Sequence, residues 1–208
     1  MSFIDLFPTI IHYQIVDSIP KNELSIYQKI VESLEFKIDD NGNSSYSLEQ
    51  NLFKKSIFKN LETKILDSSK KYFDEIGHEY EDLQICNSWA NSISKQGIIH
   101  NHTHPNSYLS GCFYFDKSSP IIFTNPIQHK WSFDPVRDQH VSNKETDNHR
   151  EWARYVVMPE KNSLLLFPSW LWHTVAPSWD DKRLTIAFNI VPKGVFGRES
   201  ARLNFPKL

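Results

Sequence analysis

Three histidines fall at alternate positions in Gly97-Ile-Ile-His-Asn-His-Thr-His-Pro105, which makes His100, His102 and His104 the densest chemical signal in the chain. Alternate side chains of a strand point to one face, so these imidazoles could converge on one point. Neutral imidazole is a good ligand for divalent iron, copper, nickel or zinc. A lone histidine in a strand is usually structural or exposed, whereas three in register before a proline point to a metal site. The second signal is Leu164-Leu-Leu-Phe-Pro-Ser-Trp-Leu-Trp-His-Thr-Val-Ala-Pro177, where His173 emerges at the end of an apolar strand and turn. Alone, His173 reads as a buried histidine bonded to backbone. Its value comes from Arg183, ten positions on, and Thr185 two further. If His173 and Arg183 lie on neighbouring antiparallel strands, alternation sends Arg183, Thr185, Ala187 and Asn189 to one face. A guanidinium buried there without a partner carries a penalty of several kcal/mol. Its partner is a bound carboxylate, held by the bidentate fork, or the adjacent Asp180 or Asp181.

Those residues need a scaffold, and the pattern along the chain supplies one. Ser18-Ile-Pro20 sets up a helix start, after which Leu24, Tyr27, Ile30, Val31 and Leu34 recur at helical spacing, predicting about four turns. Asp39 to Ser45 reads as a loop around Gly42. A second helix is predicted from about Phe58 to Ile76, with Gly77 as its stop. From Leu83 onward the pattern changes to eight short β-type runs bounded by Pro, Gly, Ser and Asn: LQICNSWANSI, QGIIHNHTH, SYLSGCFYF, PIIFT, RYVVMP, SLLLFP, WLWHTVAP and RLTIAFNIV. Eight such runs suggest a jelly roll or barrel-like sandwich. The expected organisation is one domain over 1–208, mainly β, with helical support in 1–82, the β core in 83–192 and a tail from 193. Residues 126–151 are polar and irregular, hold His129, His140 and His149, and read as a lid or binding insertion or a partly disordered segment.

Composition narrows the function classes. At 208 residues the chain is long enough for one well-filled core, and its fourteen Phe, eight Tyr and six Trp need that core. A formal charge of −2 provides no basic field for phosphate backbones or an anionic membrane, so nucleic acid is not expected as a partner. The start MSFIDLFPTIIHYQIVDSIPK lacks a signal-peptide pattern, and no run of about 18 apolar residues predicts a membrane span. The expected location is the cytoplasm of the producing or infected cell. Cys86 and Cys112 lie in apolar runs and read as reduced core residues.

The ordered set of motifs resembles the 2-oxoglutarate- and Fe(II)-dependent oxygenases, and more specifically a family of them common in phage and marine bacterial sequences within the prolyl-hydroxylase-like superfamily. The matching features are Trp89-Ala-Asn91, His102-Thr-His-Pro105 followed by Ser110-Gly-Cys-Phe-Tyr-Phe115, Phe167-Pro-Ser-Trp-Leu-Trp-His173, and Arg183-Leu-Thr-Ile-Ala-Phe-Asn189. They cover the chain strongly from Trp89 to Asn189, and Leu6-Phe-Pro8 weakly. The resemblance implies a double-stranded β-helix with iron at its open end. It makes His102, His104 and His173 the ligands, with His100 as an alternative, and assigns the far carboxylate of 2-oxoglutarate to Arg183, Thr185 and Tyr114, with Asn91 a weaker candidate. Position 104 departs from the superfamily's usual carboxylate, so three neutral ligands would leave the ion its full double charge; a carboxylate such as Asp134 or Asp138 is the alternative completion. The implied activity couples decarboxylation of 2-oxoglutarate to succinate with oxidation of a small-molecule or peptide substrate by dioxygen. Trp131, Trp152, Trp170 and Trp172 either line that substrate's cleft or pack in the core. Two other classes use the same residues: a cupin-like three-histidine metalloenzyme without 2-oxoglutarate, and a non-catalytic jelly-roll binding module.

Overall fold

Period-two alternation in the β-type runs resolves into two antiparallel sheets in a computed structural model, which describes residues 8–39, 43–127 and 154–208. In chain order the elements are β1 (His12–Ile15), α1 (Lys21–Glu32), β2 (Phe36–Asp39), β3 (Ser44–Ser47), α2 (Lys59–Glu75), β4 (Tyr80–Ser94), β5 (Ile99–His102), β6 (Leu109–Tyr114), β7 (Ile121–Thr124), β8 (Arg154–Val157), β9 (Ser163–Pro168), β10 (His173–Val175), β11 (Lys182–Phe196) and β12 (Leu203–Phe205). The larger sheet runs β1-β9-β6-β11-β4-β3-β2, with β12 added to β11; the smaller runs β5-β10-β7-β8. Together they form a double-stranded β-helix, the jelly roll expected from the sequence, and each of the eight predicted runs overlaps one of its strands, with β4 and β11 longer than the runs that predicted them.

The two faces of the larger sheet have different jobs. On its outer face Leu109, Phe113, Leu164, Leu166, Ile186 and Phe188 pack against Leu24, Tyr27 and Val31 of α1 and Leu61, Ile65 and Phe73 of α2. On its inner face Tyr114, Leu165 and Phe167 meet Ile121 and Phe123 of the smaller sheet. The helices therefore support the larger sheet from outside. The first is shorter than its apolar spacing predicted: the chain leaves the helix at Ser33, whose hydroxyl bonds back to Ile30 O at 2.7 Å, and Leu34 packs on the core from beyond the helix end. The second ends where Gly77 adopts φ +71°, a conformation costly for a residue with a Cβ.

Residues 1–82 are more than helical support, because β1, β2 and β3 extend the larger sheet at both ends. Their four-residue runs carry little alternation of their own, and pairing with β9 and β4 supplies what local propensity does not. Of the loop predicted from Asp39 to Ser45, Asp39, Ser44 and Ser45 are instead paired strand residues of β2 and β3, and residues 40–42 lie outside the described residues. In the tail, β11 continues to Phe196 and β12 pairs with it. Beyond Ile127 the insertion lies outside the described residues, with His129, His140, His149, Trp131, Asp134 and Asp138; so do Trp152, Leu6 and Phe7. Both cysteines are free thiols, and burial pushes Cys112 up to about 11. No helix among the described residues is long and apolar enough to cross a membrane.

Gly111 explains the Ser-Gly pair that opens β6. A Cβ there would sit 2.5 Å from the Phe188 ring and 2.7 Å from the Leu165 carbonyl. Gly111→Ala is expected to destabilise the protein by about 1–3 kcal/mol through this overpacking, lowering the calorimetric midpoint by a few degrees per kcal/mol. An unchanged midpoint would show that the ring has room to move.

Candidate metal centre

Pairing of β10 with β5 brings together His102 from the end of β5, His104 from the turn beyond it and His173 from the start of β10. Their ligand atoms all lie within 4.8 Å of one another, a group that can hold a metal ion. His173 pairs directly with His102 across β10 and β5 and with Phe123 across β10 and β7. The ring centroids of His102 and His173 are 4.3 Å apart, and each lies 5.1 Å from that of His104. Phe167 closes the wall against His173 at 4.6 Å, and Trp89 stacks on His104 at 5.7 Å.

His100 is not in this group, although strict alternation would align it with His102. Two steps of β10, from His173 to Val175, face three steps of β5, from Ile99 to His102. That irregularity breaks the period of two, as a bulge does, and His100 ends exposed. It serves the site through its backbone, since His102 Nδ1 is 2.7 Å from His100 O.

Every imidazole of the group has its Nδ1 against an oxygen acceptor: His102 on His100 O, His173 on Leu171 O at 2.8 Å, and His104 on Asn189 Oδ1 at 2.9 Å. A carbonyl oxygen only accepts, so each Nδ1 carries the proton and each Nε2 keeps its lone pair. Burial holds all three rings neutral. It lowers His102; burial and the neighbouring His102 bring His104 down to about 4 against the pull of Asn189, and bring His173 down to about 3. Three neutral nitrogen donors with oriented rings suit a divalent first-row metal.

Along the inner face of β11 the polar stripe continues away from the histidines. Arg183 is 4% exposed, its Nε donates to Ser118 Oγ at 2.5 Å, and its guanidinium lies 5.3 Å over the Tyr114 ring. Among the described residues no carboxylate pairs with it. The adjacent Asp181 bonds Lys95 at 3.4 Å instead and is almost fully exposed. Thr185 is paired with Tyr114 on β6 and with Asn91 on β4. The Tyr114 hydroxyl and Thr185 Oγ1 are both buried without a hydrogen-bond partner. Burial raises the Tyr114 phenol far above its usual range, so it stays a neutral donor. Asn91 takes a different part from a bare pocket wall: its Oδ1 accepts from Trp89 Nε1 at 3.0 Å, tying it to the ring stacked on His104.

Trp170 and Trp172 are 56% and 51% exposed, so neither is a core residue, while Leu171 and His173 between and after them are buried. Sequence reasoning missed Ser118, a serine in an unremarkable loop that only the turn after β6 carries to Arg183. It quoted Ser110 and Ser169 inside motifs without giving them a part, although both lie in the hydrogen-bonded surroundings of His104.

Residues 87–189 match the family described as "Putative 2OG-Fe(II) oxygenase". Among solved structures, HygX from Streptomyces hygroscopicus, with nickel, 2-oxoglutarate and hygromycin B bound, is similar over 88% of this chain and 83% of its own, at 12% identity and TM-score 0.58. A prolyl-4-hydroxylase from Pseudomonas putida is similar over 89% of this chain and 94% of its own, at 9% identity and TM-score 0.60. The carbocyclase SnoK from nogalamycin biosynthesis, described as non-heme and alpha-ketoglutarate dependent, covers 93% of this chain and 84% of its own at 9% identity and TM-score 0.61. At such identities the structural likeness is one of fold. No curated protein matches the chain. The matched span encloses the three clustered histidines, Tyr114, Arg183 and Thr185, and on that match the chain belongs to the 2-oxoglutarate- and Fe(II)-dependent oxygenase family.

Proposed function

We propose that the protein is a hydroxylase in which His102, His104 and His173 hold Fe(II) through Nε2, and Arg183, Tyr114 and Thr185 hold the far carboxylate of 2-oxoglutarate. The observation that carries this reading is the buried guanidinium without a carboxylate among the described residues, beside two buried hydroxyls without partners. Buried polar groups are ordinarily satisfied, and groups left over mark a missing ligand. A carboxylate answers all three needs at once, since it accepts from the guanidinium fork and from both hydroxyls. A cupin-like enzyme without an oxoacid, or a non-catalytic module, leaves them unexplained.

Fe(II) with 2-oxoglutarate and dioxygen supplies the oxidising chemistry, converting the oxoacid to succinate and carbon dioxide and adding one oxygen atom to a C–H bond of a small-molecule or peptide substrate. The chain's own residues orient and shield. Three neutral ligands remove none of the ion's charge, which favours an anionic cosubstrate. Arg183 is fixed by Ser118 and by the Tyr114 ring, so its fork is oriented before a ligand arrives. Phe123 and Phe167 exclude water around the histidines.

Succinate release from 2-oxoglutarate with Fe(II) and ascorbate, screened over a substrate panel, tests the reading directly. The anaerobic Fe(II) protein should give a weak visible charge-transfer band on adding 2-oxoglutarate; absence of both band and succinate would sink it. Arg183→Ala should raise the 2-oxoglutarate concentration needed by roughly 10-fold or more, the loss expected for a charged hydrogen bond, while leaving iron in place. His102→Ala and His173→Ala should abolish iron binding, and His100→Ala should keep most of it, as read by metal analysis after dialysis. Acid should destabilise the metal-free protein through the same rings. Their folded values lie below the unfolded value of 6.5, so stability is complete above that pH. It falls as pH drops from about 6.5 towards 3, at up to about 1.4 kcal/mol per pH unit for each ring the unfolded chain protonates first. Urea midpoints against pH would show this slope, and His173→Ala should flatten it.

A further inference from the structure

Of the three clustered histidines, two take their tautomer from backbone carbonyls, which cannot turn over. His104 takes its own from a side-chain amide, which can. It lies beyond the end of β5, where no strand pairing orients it. Its backbone N–H donates to Ser169 O at 2.9 Å, and Ser169 N–H donates to Tyr108 O at 3.1 Å. Its Nδ1 lies 2.9 Å from Asn189 Oδ1.

A chain of hydroxyls stands behind that amide. Ser110 Oγ donates to Asn189 Oδ1 at 2.7 Å, Ser169 Oγ is 2.7 Å from Ser110 Oγ, and Ser107 Oγ is 2.6 Å from Ser169 Oγ and 3.1 Å from Leu109 O. Each hydroxyl has one proton. With the Ser110 proton donated to Asn189, Ser110 accepts from Ser169 and Ser169 accepts from Ser107, whose one proton is shared between Ser169 and the Leu109 carbonyl to which it also donates. All donors then point towards Asn189 Oδ1. Ser110, Ser169 and Asn189 are 0%, 1% and 6% exposed, so water competes little with this order. Were the amide reversed, its NH2 would face His104 Nδ1, that nitrogen would have to accept, and the proton would move to Nε2, where it blocks a metal.

We propose that Asn189, whose Oδ1 lies against both His104 Nδ1 and the Ser110 hydroxyl, is a positioning residue that fixes His104 in the Nδ1–H tautomer and so completes the metal site. Ser169 belongs to the turn leading to His173, and the same relay therefore ties the segments of two ligands together. This inference rests on the reading of His104 as a ligand.

The test uses Co(II) alone as the probe, with affinity measured by titration of the metal-free protein and the exchangeable Nδ1–H resonances of the ligated imidazoles read from the proton spectrum of the Co(II) form. Wild type should show three shifted exchangeable resonances. Asn189→Leu, similar in size but without an acceptor, should bind Co(II) about 10- to 100-fold more weakly and lose one resonance. Asn189→Asp, which can accept from both His104 and Ser110, should keep three resonances and an affinity within a few-fold of wild type or tighter. Ser110→Ala, a milder change that keeps the protein testable should Asn189→Leu not fold, should weaken binding several-fold. Wild-type affinity and three resonances in Asn189→Leu, or in Ser110→Ala where that variant stands in, overturn the proposal; so does an Asn189→Asp protein as impaired as Asn189→Leu, because the site then needs only the packing of an amide. His104→Ala separates the two readings: if it binds Co(II) like wild type, the ligand assignment has failed, and if it binds weakly while Asn189→Leu does not, only the relay has failed.

Discussion

The pairing register of β11 between β4 and β6 is the constraint on which the rest of the structure depends. Thr185 faces Asn91 on one side and Tyr114 on the other, and Asn189 faces Asn87 and Ser110. Because side chains alternate with a period of two, a slip of one residue would turn Arg183, Thr185 and Asn189 towards the helices and push Leu184, Ile186 and Phe188 into the polar interior. What prevents the slip is the apolar half of the strand. Leu184, Ile186, Phe188 and Ile190 are buried in the outer core, each stabilising by about 1.5–3 kcal/mol relative to exposure. The polar residues that β11 brings to the site lie on one face of a strand whose register the other face enforces.

That arrangement lets the jelly roll tolerate an expensive interior. A guanidinium, a phenol, a threonine hydroxyl and an imidazole cluster occupy space that Leu165, Phe167 and Phe123 would otherwise make purely apolar. Each polar group is accommodated in its own way. The imidazoles give up their charge, and their Nδ1 atoms find oxygen acceptors. Arg183 keeps its charge and has one serine and one aromatic face. The hydroxyls of Tyr114 and Thr185 are left with nothing. The polar groups are thus satisfied at the histidines and left over at the arginine end, the observation on which the proposed carboxylate site rests.

The span that matches the family model begins at Asn87 and ends at Asn189, two residues that face each other across β4 and β11. The helices and edge strands outside the span supply the outer core that holds β11 in place.

Much of this was legible in the amino-acid sequence. Alternation announced the strands from Leu83 onward, the apolar spacing announced both helices and the alternating histidines announced a metal site, because side-chain period and residue chemistry are local properties, while the oxygenase reading came from the resemblance of the motifs between Trp89 and Asn189 to a known family. The short strands β1 to β3 and β12 were not legible, since a four-residue run becomes a strand only through its neighbour. Nor was the exclusion of His100, which follows from an extra residue in β5 opposite β10, a mismatch between two segments about 70 positions apart. Ser118 beside Arg183 and the serine relay behind Asn189 are likewise contacts across strands. The sequence by itself determined which residues can bind a metal and an anion; only the tertiary structure decided which of them meet, because meeting depends on register, and register belongs to pairs of strands.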